Sequence, residues 1–285
     1  MKRVLITGTQ SYIGKSLKKR LDALLGKYNY QMISLRDNSW KGYSFENYDA
    51  VVHIVGIAHI KETKNNSQKY YEINRDLAYE VAKKAKSEGV KQFLFLSSMS
   101  IYGLNEGLID ENTIPSPTTH YGKSKLQAEN LLLNMRNNNF KVAILRPPIV
   151  YGKNSIGNYS KLAKLAKITP LFPSIDNKRS MIFIENLITV IIDILESNRE
   201  GIFHPQNSEF VSTRELVALI SKLNNKKIIL FPWLNFLIDS SNNKTLTKVF
   251  GTLAYTKELS MYNEELHKRF ISFEESIELT EGKND

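Results

Sequence analysis

The sequence predicts an α/β protein: a doubly wound parallel sheet with a smaller C-terminal α/β lobe. Three observations carry this. Strand-like and helix-like segments alternate through the first half of the chain. Ala50–Val55 and Gln92–Ser97 are apolar runs, as expected of strands buried on both faces. Beyond residue 147 the alternation becomes irregular, with prolines at 147, 148, 170, 173, 205 and 232. Residues 1–147, with returning segments, are expected to form the first domain, and 148–285 most of the lobe.

The elements follow in order. Val4–Thr7 is apolar and β-branched, a strand. Over Ile13–Leu25, apolar residues at 13, 17, 21, 24 and 25 recur at helical spacing with basic residues between them. Gln31–Leu35 and Ala50–Val55 read as strands. In Tyr70–Lys86 a stripe of Ile73, Leu77 and Val81 predicts a helix. Gln92–Ser97 is a strand, Tyr121–Met135 a helix and Val142–Leu145 a strand. In the lobe, Met181–Ile184, Ile202–His204 and Lys227–Leu230 read as short strands, and Glu185–Glu196 and Ser212–Asn224 as helices. The polar tail after about Thr280 is expected to fray.

The chain has 285 residues and no cysteine, which excludes disulfides, thiolate metal sites and a cysteine nucleophile. No metal site is expected. No apolar run reaches the roughly 18–20 residues of a membrane span; Leu187–Leu195 and Phe231–Ile238 are short and interrupted. The chain opens directly into a strand with no apolar leader, so a soluble cytoplasmic protein is expected. The 39 Lys and Arg exceed the 29 Asp and Glu by 10, but they are scattered, as on solvated helix faces. No aromatic-plus-basic stripe suggests nucleic-acid binding. A basic cleft would also suit a substrate that carries a diphosphate.

Gly8, Ser11 and Gly14 form a Gly-x-x-Ser-x-x-Gly pattern between the first strand and the first helix. Glycines there let backbone approach a pyrophosphate, and the helix start at Tyr12 and Ile13 offers N–H groups and a positive dipole end. This predicts a dinucleotide site in a Rossmann-type domain. An acid at the end of the second strand suits NAD, and an Arg suits the 2′-phosphate of NADP. Arg36 followed by Asp37 favours NADP and leaves NAD open.

Tyr121 and Lys125 stand four residues apart, on one helix face. An ammonium near the phenol is expected to favour the phenolate, and such a tyrosine can exchange a proton with a sugar hydroxyl. Tyr79 and Lys83 repeat the spacing within a basic amphipathic stretch and read as surface residues. Ser97 and Ser98 end a buried strand, where hydroxyls face the ligand crevice of α/β sheets.

With these motifs in view, the chain resembles extended short-chain dehydrogenase/reductases of the nucleotide-sugar epimerase/dehydratase family. The matching runs are ITGTQSYIG, DAVVHIVG, YEINRDLAYEVAKKAKSEGVKQFLFLSS, IYG, HYGKSKLQAE, ILRPPIVYG and RSMIFIENL, in family order. The resemblance implies an NAD(P)-binding domain and a lobe that holds the nucleotide of a sugar nucleotide. It implies a catalytic Ser98, Tyr121 and Lys125, with Lys125 also on the nicotinamide ribose. Val55, Gly56, Ile57, Ser97 and Pro148 are implied beside the cofactor, and Asn74 is the family's helix Asn. Arg179 is implied at the substrate diphosphate and Asn158 at the nucleotide; Ser98 and Tyr121 would also touch the substrate.

Three departures follow. Ile149 stands where epimerases usually carry Asn. The stretch before Asp49 is so short that a third strand is expected to be rudimentary or missing. No counterpart of the family's second Arg near the C-terminus is evident. The pattern is especially similar to capsule and O-antigen reductases acting on UDP-2-acetamido-2,6-dideoxy-4-hexulose. Reduction of such a 4-keto sugar is the first expectation and a UDP-sugar 4-epimerase the alternative. A catalytically silent cofactor sensor or nucleic-acid-binding protein is a remote third. Met99 and Ser100 lack the acid pair of a dehydratase. Family members often pair through two helices, here Tyr70–Lys86 and Tyr121–Met135, so a homodimer is also considered.

Overall fold

In a computed structural model, residues 1–58, 62–63, 65–239, 244–261 and 263–282 are described. Their strands are β1 (Lys2–Thr7), β2 (Tyr28–Ile33), β3 (Ala50–His53), β4 (Gln92–Leu96), β5 (Gly107–Ile109), β6 (Lys141–Leu145), β7 (Ile149–Tyr151), β8 (Leu171–Pro173), β9 (Met181–Phe183), β10 (Gly201–Phe203), β11 (Ile229–Phe231) and β12 (Leu253–Tyr255). The helices that matter below are α1 (Tyr12–Ala23), α2 (Ser67–Tyr71), α3 (Leu77–Ser87), α4 (His120–Leu133), α5 (Asn158–Ile168), α6 (Ile184–Glu196), α7 (Thr213–Leu223) and α8 (Trp233–Asp239).

Six strands form one parallel sheet in the order β10-β6-β4-β3-β1-β2. Every residue of β3 and β4 is buried, which explains their near-continuous apolar sequence. Only a 3₁₀ turn, Asn38–Gly42, separates β2 from β3 in place of another strand. The turn buries Trp40, which joins Phe45, Val51, Val81 and Phe93 in the core.

Boundaries shift from the sequence reading where pairing overrides local composition. β2 starts at Tyr28 and ends at Ile33, not Leu35, because it pairs with the whole of β1 from Lys2↔Tyr28 to Thr7↔Ile33. β3 ends at His53, two residues before Val55. The helix expected over Tyr70–Lys86 begins at Ser67 and is interrupted by a π turn, Glu72–Asp76, around the buried Asn74. Such turns often mark functional positions. β11 lies at Ile229–Phe231, not Lys227–Leu230. A last helix, Phe273–Glu281, ends where the fraying tail is expected to begin, and residues 283–285 of that tail lie outside the described residues.

The chain divides into two units, one of Met1–Gly103, Pro115–Pro147 and Ile188–His204, the other of Leu104–Ile114, Pro148–Leu187 and Pro205–Asp285. The second unit holds three parallel strand pairs: β7–β9, β8–β11 and β5–β12. At its core Tyr151 stacks on Tyr159 with ring centroids 5.2 Å apart. The Tyr151 hydroxyl lies 2.6 Å from the Ser276 hydroxyl and accepts from Asn207 Nδ2 at 2.8 Å. No described helix is long and apolar enough to cross a membrane, and the described residues include no cluster of three metal-ligating side chains.

Candidate active site

The turn after β1 is built around two glycines and a serine. Gly8 has φ +98°, a left-handed conformation that glycine adopts without strain. Its N–H donates to Ile33 O at 3.1 Å, which fixes the turn against β2. Ser11 caps α1: its hydroxyl accepts from Gly14 N at 3.0 Å and donates to Gly8 O at 2.9 Å. A Cβ on Gly14 would lie 2.6 Å from that hydroxyl and 2.8 Å from Gly8 O. Ser11 thus closes the turn with its side chain where the glycine pattern would have bare backbone. Tyr12 and Ile13 open α1, at the positive end of its dipole. Close packing that only glycine tolerates, at a helix N-terminus, fits a dinucleotide pyrophosphate.

The three residues directly after β2, Ser34, Leu35 and Arg36, carry no carboxylate. Ser34 and Arg36 are both exposed. Asp37 caps the 3₁₀ turn by accepting from Ser39 N at 2.9 Å and from the Ser39 hydroxyl. These bonds hold its carboxyl below the usual range.

After β3, Val55, Gly56 and Ile57 leave the sheet. Asn74, presented by the π turn, grips Ile57 at both backbone groups: Oδ1 accepts from its N at 2.8 Å and Nδ2 donates to its O at 3.1 Å. Nδ2 also donates to Ser124 Oγ in α4 at 3.1 Å. A Cβ on Gly56 would lie 3.0 Å from Lys125 Nζ, so this backbone passes directly beside the lysine.

Ser98, Tyr121 and Lys125 come together in the first unit. Thr119 caps α4, accepting from Gly122 N at 3.1 Å. The Glu62 carboxylate accepts from His120 N at 3.1 Å and Tyr121 N at 2.9 Å. A Cβ on Gly122 would lie 2.7 Å from Ser100 O, so the glycine admits the turn that carries Ser98. Ser98 caps that turn: its hydroxyl accepts from Ser100 N at 3.1 Å and lies 3.1 Å from Ser100 Oγ. Burial pushes the Tyr121 phenol up, the Ser98 side chain opposes this, and Tyr70, whose ring stands 6.4 Å away, adds to the rise.

Lys125, expected to act on the phenol, meets the strand backbone. It is 4% exposed, its Nζ donates to Leu96 O at 2.8 Å and lies 4.5 Å from the centre of the Phe95 ring. Burial lowers it to about 7, with Glu129 pulling the other way. The group that lowers the Tyr121 phenol is Ser98, while the Lys125 amine is turned to the strand backbone. Tyr79 and Lys83 are surface residues.

Beneath the lysine lies a buried polar network that the sequence reading missed. Glu129 is fully buried and accepts from Ser97 Oγ, from Arg146 Nε at 3.2 Å and from Arg146 Nη2 at 2.7 Å. Arg146 Nη1 donates to the Tyr102 hydroxyl at 2.8 Å, and that hydroxyl lies 2.9 Å from His204 Nε2. Ser97, expected beside the cofactor, donates its hydroxyl to Glu129. Burial, helped by Arg146, holds His204 down at about 3. In β3, burial lowers His53 likewise to about 3, and its Nδ1 lies 3.1 Å from Thr7 Oγ1. Glu129 and Arg146 both fall within matching runs quoted above; the signal was their charge at positions otherwise packed in the core.

In the second unit, Arg179 exchanges backbone hydrogen bonds with Val211 at 2.9 and 3.0 Å, and its Nη1 donates to Gly251 O at 3.0 Å. Burial lowers this guanidinium to about 10. Asn158 is exposed at the start of α5, and Pro148 is half-buried before β7, which begins at Ile149.

The chain matches the NAD dependent epimerase/dehydratase family over residues 4–205. It is 30% identical over 246 residues to a UDP-glucose 4-epimerase of Vibrio cholerae, covering 76% of this chain and 74% of that one. It is 27% identical over 247 residues to an N-acetyl-alpha-D-glucosaminyl-diphospho-ditrans,octacis-undecaprenol 4-epimerase of Escherichia coli O157:H7, covering 79% and 73%. Its fold resembles that of a UDP-glucuronic acid 4-epimerase from Bacillus cereus in complex with NAD, with a TM-score of 0.75, 18% identity and 98% and 95% of the two chains covered. Since the family match runs from β1 through β10 and so takes in every strand of the parallel sheet, the chain belongs to the NAD dependent epimerase/dehydratase family and is an NAD(P)-dependent enzyme.

Proposed function

We propose that the protein reduces the 4-keto group of a nucleotide-linked sugar with NADPH, the substrate being a UDP-2-acetamido-2,6-dideoxy-4-hexulose. The observation that carries this reading is the end of β2. The only acid there, Asp37, is engaged with Ser39, and Arg36 is exposed beside it. That arrangement suits a 2′-phosphate rather than a ribose diol, and hence a reductant taken up and released with each turnover.

The cofactor, when bound, supplies hydride exchange at C4 of the sugar. Ser98, whose side chain favours the ionised Tyr121 phenol, and Tyr121 would together hold the C4 oxygen. Burial keeps the phenol protonated near neutral pH, so Tyr121 enters the reaction as a proton donor, the sense that reduction needs. Lys125, held at Leu96 O, fixes the strand end and orients the ribose. Residues 1–147 with returning segments serve the cofactor. Most of 148–285 serves the substrate, with Arg179 on the diphosphate and Asn158 on the nucleotide.

A second reading is a UDP-sugar 4-epimerase. The Vibrio cholerae relative favours it, while Ile149, where epimerases usually carry Asn, weighs against it. One experiment separates the two. The protein is mixed with a UDP-4-keto-6-deoxy-N-acetylhexosamine, and the reduced-nicotinamide absorbance is followed. Stoichiometric loss of added NADPH supports the reductase. Interconversion of UDP-hexoses without added cofactor, and no NADPH loss, would replace it with the epimerase.

A further inference from the structure

The second unit carries an apolar face that its fold does not cover. β8 pairs with β11 in the register Leu171↔Ile229, Phe172↔Leu230 and Phe231↔Pro173. Side chains alternate along a strand. Phe172 is buried and meets Phe250 with ring centroids 5.5 Å apart. Leu171, Ile229 and Phe231 lie on the opposite face, and all three are exposed. After Pro232 the chain enters α8, where Trp233 is 70% exposed and Phe236, one turn on, 69%. Five large apolar side chains exposed on two paired strands and the helix that follows them mark a surface that meets something.

The charge around the face says what it meets. Residues 161–173 and 222–236, which contribute α5, β8, the end of α7, β11 and most of α8, include six lysines (161, 164, 167, 222, 226 and 227) and no acidic residue. Lys167 pairs with Glu281 Oε2 at 2.7 Å, and Lys226 and Lys227 are exposed just ahead of β11, one residue short of Ile229. A second copy meeting this face through a two-fold axis would set lysines against lysines. Exposed Trp, Phe and Ile within a lysine rim is instead the pattern of an interfacial membrane surface, with aromatic rings at headgroup depth and ammonium groups on anionic phosphates.

We propose that the β8–β11–α8 face docks this protein on an anionic lipid bilayer, with Trp233 and Phe236 entering the interface and Lys226 and Lys227 on the headgroups. The inference does not depend on the reaction proposed above, and its test reads no turnover. The full chain is sedimented with phosphatidylcholine vesicles and with vesicles of phosphatidylcholine and phosphatidylglycerol, and tryptophan emission is recorded. The only other tryptophan, Trp40, is buried in the first unit, so a blue shift reports Trp233. Binding to the phosphatidylglycerol vesicles alone, weakened by salt and accompanied by that shift, is expected.

A lysine near such a surface is worth on the order of fivefold in affinity, so Lys226→Gln with Lys227→Gln should weaken binding roughly 25-fold. Trp233→Ser should weaken it roughly tenfold through lost apolar burial. Unchanged melting temperatures would show that both variants fold. Absent binding, equal binding to both vesicle types, or unchanged affinity in the folded variants would each overturn the proposal. So would a dimer that Trp233→Ser splits, because the face would then belong to a second copy.

Discussion

Replacing Glu129 by Gln tests the buried network most sharply. The carboxylate is fully buried and faces an Arg146 guanidinium that is itself buried. Gln keeps the shape and one acceptor oxygen but removes the charge that compensates Arg146. Leaving one member of a buried pair uncompensated costs about 3–5 kcal/mol. The retained oxygen argues for the lower end, about 3 kcal/mol, a shift of more than 100-fold in the folding equilibrium. Exposed pairs are a useful contrast. Lys268 and Glu265 are bonded but solvent-exposed on both sides, and Lys268→Ala should cost less than about 1 kcal/mol.

The assay is urea unfolding followed by circular dichroism. Glu129 also supports the charged form of Lys125, so the same variant should lower the lysine below its present value of about 7. Any limb of the pH–rate profile that reports Lys125 should move to lower pH with it. A double replacement, Glu129→Met with Arg146→Met, should cost less than the single one, because no charge is then left alone. A loss below about 1 kcal/mol in Glu129→Gln would refute the reasoning and imply that water reaches the pair.

Tyr121→Phe should lower turnover by roughly 10²–10⁴-fold with cofactor binding intact, while Tyr79→Phe, its surface counterpart, should change neither; full activity in the former would remove Tyr121 from catalysis. His53 and His204 stay neutral in the folded chain, both lowered to about 3, whereas the unfolded chain takes up their protons near the unperturbed value of 6.5. Their stabilisation is therefore complete above that value and lost as pH falls, by about 2 kcal/mol for each histidine at pH 5. A urea midpoint unchanged between neutral pH and pH 5 would contradict this. Arg36→Ala should weaken NADPH binding by about tenfold or more, the scale of a charge-assisted phosphate contact, and leave NADH unaffected, as titration of each cofactor would read. Arg179→Ala should raise the substrate KM more than it lowers kcat; an unchanged KM would take it out of the site.

The parallel sheet was legible because its inner strands are apolar at nearly every position, so no choice of face has to be guessed. Ser98, Tyr121 and Lys125 were legible as types and spacings, but their electrostatics were not. Whether Lys125 faces the phenol or Leu96 O is a matter of side-chain direction, which spacing leaves open. β5, β7, β8 and β12 span three residues each, too few to show a period. The π turn leaves no compositional mark, and its effect appears only where Asn74 reaches Ile57. Glu129 and Arg146 stand 17 residues apart on different elements, so their pairing depends on α4 packing against the sheet. Asp37 has a local signature as well: an Asp two residues before Ser39 is a cap, which engages one of its carboxylate oxygens.

Leu96, Ser97 and Ser98 are consecutive, and each answers to a different residue of α4: Lys125, Glu129 and Tyr121. Those three follow one another at four-residue intervals along the helix. The strand end and the helix therefore mesh like two scales of unequal graduation, coinciding at one alignment only. Inserting or deleting a single residue between 121 and 129 would rotate the helix by about 100° per residue and unseat at least one of the three contacts. This segment should accordingly tolerate changes of side chain far better than changes of length.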